Sequence, residues 1–335
     1  MAAVGIVCMN SGTADAPTEG AVAAFLHEML SDPALISCPQ FIWQPILKYC
    51  IMPRRPKRTV ENYRRMWEGG ESLFMAVSRR QAKAIEEELR RRDFADGHFE
   101  LRLAMRYGSP SVAGAVKELK DAGCDTVVGV PLYPQYVNVC AGTCLGELAR
   151  RTDELRGDGW DPKVVEVRNF YDREPYQEAL ARSVAACWEH RPGAKLCVSM
   201  HSTPMADIRA GDPYHKQNLE TTHDLARRLD IPDGDVVLAY QSRFDNRKWL
   251  GPFTADVLRG WARDGVEDVC MVCPGFTAEN IESKIEAGEQ LRDVFSSAAR
   301  EAGTTGARYT YVPTLDDDPG LVTAVADAIC DAVGE

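Results

Sequence analysis

Residues 195–204 read KLCVSMHSTP, an apolar run from Leu196 to Met200 that ends on His201, Ser202, Thr203 and Pro204. So short a run between polar flanks suits a strand buried on both faces, as in the middle of a parallel sheet. Seven more such runs centre on Val4 to Met9, Leu101 to Met105, Thr126 to Val130, Val164 to Val167, Val236 to Ala239, Val269 to Val272 and Tyr309 to Val312. Amphipathic stretches separate them, among them Glu19 to Leu30, Val112 to Asp121, Glu174 to Trp188, Leu219 to Leu229 and Ala278 to Phe295. Alternation of this kind predicts an α/β chain: two doubly wound Rossmann-like domains, each with a four-stranded parallel sheet, facing across a cleft. Gly157 and Gly159 mark a loop between Asp153 and Pro162. The expected boundaries are therefore a first domain over 1–158, a second over 159–315 and a C-terminal helix over 316–335 packing back on the first. The two halves show no close sequence repeat.

Composition narrows the class. With 45% apolar residues in 335, the chain can bury two cores, and no apolar run approaches the roughly 20 residues of a membrane span. MAAVGIVCMN lacks a basic leader and a small-residue cleavage site and reads as a first strand, so a cytoplasmic location is expected. A net charge of -11 argues against a general nucleic-acid binder. Eleven cysteines at scattered spacings read as reduced core residues rather than a disulfide framework.

Ligands of open parallel sheets gather beyond the carboxyl ends of the strands. The residues just past each run are Asn10, Ser11 and Thr13, Arg106 and Tyr107, Tyr133 to Tyr136, His201 to Pro204, Gln241 to Arg243, and Pro274 to Glu286. His201 places an imidazole at a sheet edge, suited to proton transfer near neutrality or to metal binding, although a hydrogen-bonded loop histidine fits the same spot. The stretch after Pro274 reads as a helix with Glu279, Glu282, Glu286 and Asp293 on one face, a stripe that either passes cations and protons or is simply solvated.

PRRPKRTVENYRR, residues 53–65, sets six cations, including Arg54, Arg64 and Arg65, against a single Glu61, with Trp67, Leu73, Phe74 and Met75 close behind. Guanidinium groups beside apolar ones suit a flat hydrophobic ligand with carboxylate arms, and membrane-surface contact is a second use for them. Cys270 and Cys273 have metal-ligand spacing but fall in a predicted strand, where residues three apart face opposite sides. NSGTAD lacks the glycine spacing of dinucleotide and phosphate loops.

MNSGTADAP, SDPALISCP, NYRRMW with SRRQ, AMRYGSPS, PLYPQY, MHSTPMADIRAGDPY, YQSRF with WLGPFT, and CPGFTAENIE stand in an order that resembles the ferrochelatase family over nearly the whole chain. The resemblance implies insertion of ferrous iron into a porphyrin late in haem biosynthesis, with iron as substrate and no required cofactor. It maps the catalytic and metal-handling pair onto His201 and Glu282, and implies Arg106, Tyr107, Trp249, Glu279 and Glu286 as pocket or pathway residues. Ser11, Tyr136, Arg54, Arg64 and Arg65 complete the expected porphyrin contacts, the arginines meeting the propionates. NYRRMW and SRRQ look more like forms that use protoporphyrin IX than coproporphyrin III. Departures stand at Ser11, where the family commonly places Met, Leu or Tyr, at Val139 to Ala141, where hydroxyls are usual, at Glu71, and at Lys284 within the acidic helix. Cluster-binding members place several cysteines near the C-terminus, where this chain has Cys330, so no iron-sulfur cluster is expected. A monomer is expected, with porphyrin and ferrous iron as partners. The competing readings are another tetrapyrrole chelatase, a porphyrin carrier without chemistry, and a nucleotide-sugar glycosyltransferase.

Overall fold

The computed structural model describes residues 3–36, 38–157, 159–243 and 247–334. They form two compact units: Met1–Tyr133, Asn138–Asn169 and Val325–Glu335 make the first, and Pro134–Val137 with Phe170–Ala324 the second.

In chain order the first unit contains β1 (Ala3–Asn10), α1 (Glu19–Leu30), α2 (Gln40–Ile46), α3 (Arg55–Arg65), β2 (Trp67–Glu68), β3 (Glu71–Ser72), α4 (Leu73–Arg91), β4 (Phe99–Met105), α5 (Val112–Asp121), β5 (Cys124–Pro131), α6 (Thr143–Leu155) and β6 (Lys163–Glu166). Its sheet is parallel in the order β4-β1-β5-β6. β1 lies between two partners, which is why it is apolar on both faces and buried from Val4 to Asn10. Gly129 of β5 lets α6 close on the sheet: a Cβ there would stand 2.6 Å from Cδ2 of Leu148.

The second unit contains α7 (Glu174–Cys187), β7 (Lys195–His201), α8 (Met205–Arg209), α9 (Tyr214–Arg228), β8 (Val236–Gln241), α10 (Thr254–Arg263), β9 (Asp268–Val272), α11 (Leu291–Glu301), β10 (Arg308–Val312) and the start of α12 (Pro319–Val333). Its sheet is parallel in the order β10-β9-β7-β8. Counted by position within each unit, both sheets read 2-1-3-4, so the halves share a topology that their sequences do not repeat. Cys197, Leu258, Met271, Leu291 and Phe295 form part of the second core. Burial pushes the thiols of Cys8 and Cys197 up to about 12, so both stay protonated and pack as small apolar groups.

Three features differ from the expectations. The boundary does not fall at 158, because β6 pairs in parallel with β5 from Thr126↔Lys163 to Gly129↔Glu166, and the first unit continues to Asn169. The glycine-rich loop is a turn inside that unit, with Gly157 bridged to Trp160 and the Trp160 indole donating to the Cys124 carbonyl at 2.7 Å. Asp158 itself lies outside the described residues. Next, the helix expected over Ala278 to Phe295 begins only at Ile281, winds as a π-helix to Gln290 and continues as α11. Finally, the antiparallel pair β2 and β3 carries no strand pattern of its own, being two residues on each side. No helix among the described residues is long and apolar enough to cross a membrane.

Candidate functional site

A 2-1-3-4 sheet reverses its strand order between its first and third strands, and ligands of such folds bind beyond the carboxyl ends there. In the second unit those strands are β7 and β9. His201 is the last residue of β7 and is half-buried. Its Nδ1 lies 2.6 Å from the Ser202 carbonyl. A carbonyl only accepts, so Nδ1 donates this bond and Nε2 is left outside it. The loop after His201 is zipped to the segment ahead of α10: Met205 N–H donates to Lys248 O at 2.9 Å, Leu250 N–H to Thr203 O at 2.9 Å, and Ser202 Oγ to Leu250 O at 2.7 Å. These bonds seat Trp249 beside Pro204, where Arg247 stacks on the indole at 5.5 Å.

Beyond β9, Asn280 and Ser283 form a reciprocal capping box, with Ser283 N–H donating to Asn280 Oδ1 at 2.8 Å and Asn280 N–H to Ser283 Oγ at 2.9 Å. The ten π-wound residues that follow, Ile281–Gln290, are a rare geometry that is frequent at functional sites. Glu282 and Glu286 project from this segment. The Glu282 carboxylate has no hydrogen-bond partner among the described residues, while its backbone carbonyl accepts from Gln241 Nε2 at 2.7 Å. Glu286 is more enclosed, accepting from Ser242 N–H at 3.0 Å and Ser242 Oγ at 2.5 Å. Burial raises Glu286 above the ordinary carboxylate value, opposed by the Ser242 bond, reinforced by the Glu282 charge and opposed again by His201. Glu286 thus lies within electrostatic reach of both Glu282 and His201 at the β7/β9 edge.

Glu279 precedes the helix and is buried. It accepts from Ser283 Oγ at 2.6 Å, Tyr311 OH at 3.1 Å and Thr314 N–H at 3.2 Å, and burial raises its pKa. The single acidic face expected from a 3.6-residue period therefore breaks up. Asp293 lies outside the cluster, exposed and paired with Arg292 at 3.6 Å, because the π-wound turns alter the angular spacing. Among the described residues no group of three His, Cys, Asp or Glu side chains is arranged to hold a metal ion.

In the first unit, Ser11 follows β1 and its N–H donates to Tyr133 OH at 3.0 Å. Arg106 and Tyr107 follow β4, held to that loop by Arg106 N–H to Asn10 O at 2.8 Å and Tyr107 N–H to Ser11 O at 3.0 Å. Both side chains turn to Asp32, Arg106 Nη2 at 2.5 Å and Tyr107 OH at 2.8 Å, and Arg106 stacks on the Tyr107 ring at 4.6 Å. Tyr107 is buried, so in this state its hydroxyl is engaged internally rather than offered to a ligand. Arg54, Arg64 and Arg65 are exposed at the two ends of α3, Arg64 touching Glu61 at 3.2 Å. Ahead of them Phe41, Ile42, Ile46 and Tyr49 are exposed, Phe41 to 80%. Tyr136 belongs to the second unit, its N–H donating to Gln217 Oε1 at 2.7 Å. The residues that sequence reasoning left unassigned are Ser242, Gln241 and Asp32. The first two carried a signal, since they follow a strand's carboxyl end.

Residues 3–333 match the ferrochelatase family profile. A ferrochelatase of Bordetella pertussis is 36% identical over 327 residues, 97% of this chain and 87% of that protein. One from Nitrosococcus oceani is 34% identical, covering 98% and 86% respectively. Ferrochelatase 2 of Shewanella oneidensis is 32% identical, covering 97% and 96%. Among solved structures, SirB from Bacillus subtilis with Fe3+ superposes with a TM-score of 0.52 at 11% identity over 98% of this chain and 95% of SirB, which is a likeness of fold. With the profile spanning both units and relatives above 30% identical along nearly their whole length, the chain belongs to the ferrochelatase family.

Proposed function

We infer that this chain inserts ferrous iron into a porphyrin as a step of haem biosynthesis. The observation that carries the reading is His201, its Nδ1 committed to the Ser202 carbonyl and its Nε2 left outside that bond, at the same strand edge as the segment that bears Glu282 and Glu286. Insertion replaces two pyrrole N–H protons by one Fe2+, so the site has to receive two protons and admit a divalent cation. An imidazole nitrogen suits the first task, which falls to His201 Nε2. The carboxylates of Glu282 and Glu286 are hard oxygen donors, which let a labile divalent ion pass without the tight hold of thiolates. Glu279, deeper and hydrogen-bonded, extends the acidic path.

Protoporphyrin IX is the preferred macrocycle in this reading, which assigns Arg54, Arg64 and Arg65 to its propionates and Ser11, Arg106, Tyr107, Tyr136 and Trp249 to its binding, Arg106 and Tyr107 on release from Asp32. The exposed apolar residues of α2 beside the cations of α3 support peripheral contact with a membrane surface. The protein acts in the cytoplasm as a monomer, without a resident cofactor. Anaerobic insertion of ferrous iron into protoporphyrin IX and coproporphyrin III, run in parallel, tests the function and names the substrate. His201→Ala and Glu282→Ala should each lower kcat by about a hundredfold or more while leaving the melting temperature close to that of the parent. Tight porphyrin binding with no metalation by the parent protein would instead mean a carrier.

A further inference from the structure

Strand β8 ends on Gln241, and the two residues at its tip hold the π-wound segment from one side. Gln241 is buried, its Oε1 accepting from Ser199 Oγ at 2.7 Å and its Nε2 donating to the backbone carbonyl of Glu282 at 2.7 Å. Ser242, next in sequence, gives both its donors to one carboxylate: N–H to Oε1 of Glu286 at 3.0 Å and Oγ to Oε2 at 2.5 Å. To do so Ser242 sits at φ 63°, the left-handed region that residues with a Cβ rarely occupy. Backbone strain of this kind is kept where surrounding bonds enforce it, commonly at functional sites. Here the enforced geometry aims two donors at a half-buried glutamate whose neighbours are Glu282 and His201.

We propose that Ser242 is a positioning residue for metal handling, fixing the Glu286 carboxylate toward the path of the incoming divalent cation through its hydroxyl. This rests on the iron-insertion reading above. Ser242 touches no reacting atom; it acts through Glu286. With both carboxylate oxygens held, Glu286 neither rotates away from Glu282 under like-charge repulsion nor varies its distance from the entering ion. The Ser242 hydroxyl is already committed to Glu286, so the proposal places the effect of removing it on the metal and not on the porphyrin.

Two variants separate the hydroxyl from the backbone. Ser242→Gly removes Oγ, keeps the N–H bond and relieves the left-handed strain; Ser242→Ala removes Oγ and keeps the strain. In anaerobic insertion of ferrous iron, both should raise the KM for iron by about tenfold, the scale of one hydrogen bond to a charged group, while the KM for porphyrin stays within about twofold. An unchanged iron KM in Ser242→Gly overturns the proposal, as does a loss seen in Ser242→Ala alone, which would assign the effect to backbone conformation. Equal rises in the two KM values would also overturn it, since a general loosening of the site moves both. If the parent protein inserts no iron at all, the functional reading fails and this proposal with it. If the parent is active and both variants match it, the proposal fails alone.

Discussion

Glu279 shows how much of a residue's chemistry depends on what surrounds it. In sequence it is one acid of a stripe; in the fold it is a buried carboxyl ringed by Ser283, Tyr311 and Thr314, and burial raises its pKa. Its folded value lies above its unfolded one, so the stability it contributes is complete below the unfolded value and is lost as pH rises through the folded one. Glu279→Gln keeps an acceptor for Ser283 or Thr314 and removes the titration. The melting temperature of the variant should therefore gain on that of the parent as pH rises from about 4 to 7. A difference that stays constant across this range would show that burial of the charge carries no net cost. Arg106 makes the complementary point, because its place after β4 was legible as a ligand position while its bond to Asp32, 74 residues away, was not.

At the scale of elements, the stretch from Ala278 to Phe295 was legible as helix from its periodicity, but not its later start at Ile281, its π-winding or its continuation to Glu301. Bonds hold its first turns from both sides of the chain. The capping box holds the start, and Gln241 and Ser242 hold the next turns through Glu282 and Glu286. Asn280→Ala removes the acceptor of the Ser283 N–H bond and should cost about 1 kcal/mol of stability. Because the same turn carries Glu282, iron insertion should fall along with the unfolding midpoint in urea. An unaltered rate at an equal loss of stability would mean that the cap supports the fold without setting the site.

For the whole molecule, the chain is two units of the same 2-1-3-4 topology whose last helix serves both. Pro319–Ala324 belongs to the second unit and the rest of α12 to the first, where Val325, Ala326 and Ile329 are buried and Asp327 bonds to Arg92 at 2.6 Å. Burying each of the larger aliphatic side chains is worth about 1.5–3 kcal/mol. A chain ended at Ala324 should therefore lower the calorimetric transition of the first unit and leave that of the second close to its original temperature. A scan that superposes on the full-length one would remove α12 from the first unit's core.

Apolar runs and their spacing, read in sequence alone, determined that eight strands and their intervening helices exist, most plainly for β1, β5, β7 and β9, which lie inside their sheets, where burial on two faces demands an uninterrupted apolar run. His201 was identifiable on the same grounds, as the polar residue on which a buried run stops, and the ordered motifs from MNSGTADAP to CPGFTAENIE pointed to the family. Only the tertiary structure decided that β6 completes the first sheet, that residues 281–290 wind as a π-helix and that Ser242 holds Glu286. The first and last are pairings between segments far apart in the chain, 44 residues in the case of Ser242 and Glu286, and the π-wound turns are tied to that same distant strand tip through Gln241 and Ser242. Local periodicity encodes which side of an element is buried; which donor meets which acceptor is settled when the chain has folded and the unpaired alternatives have become costly.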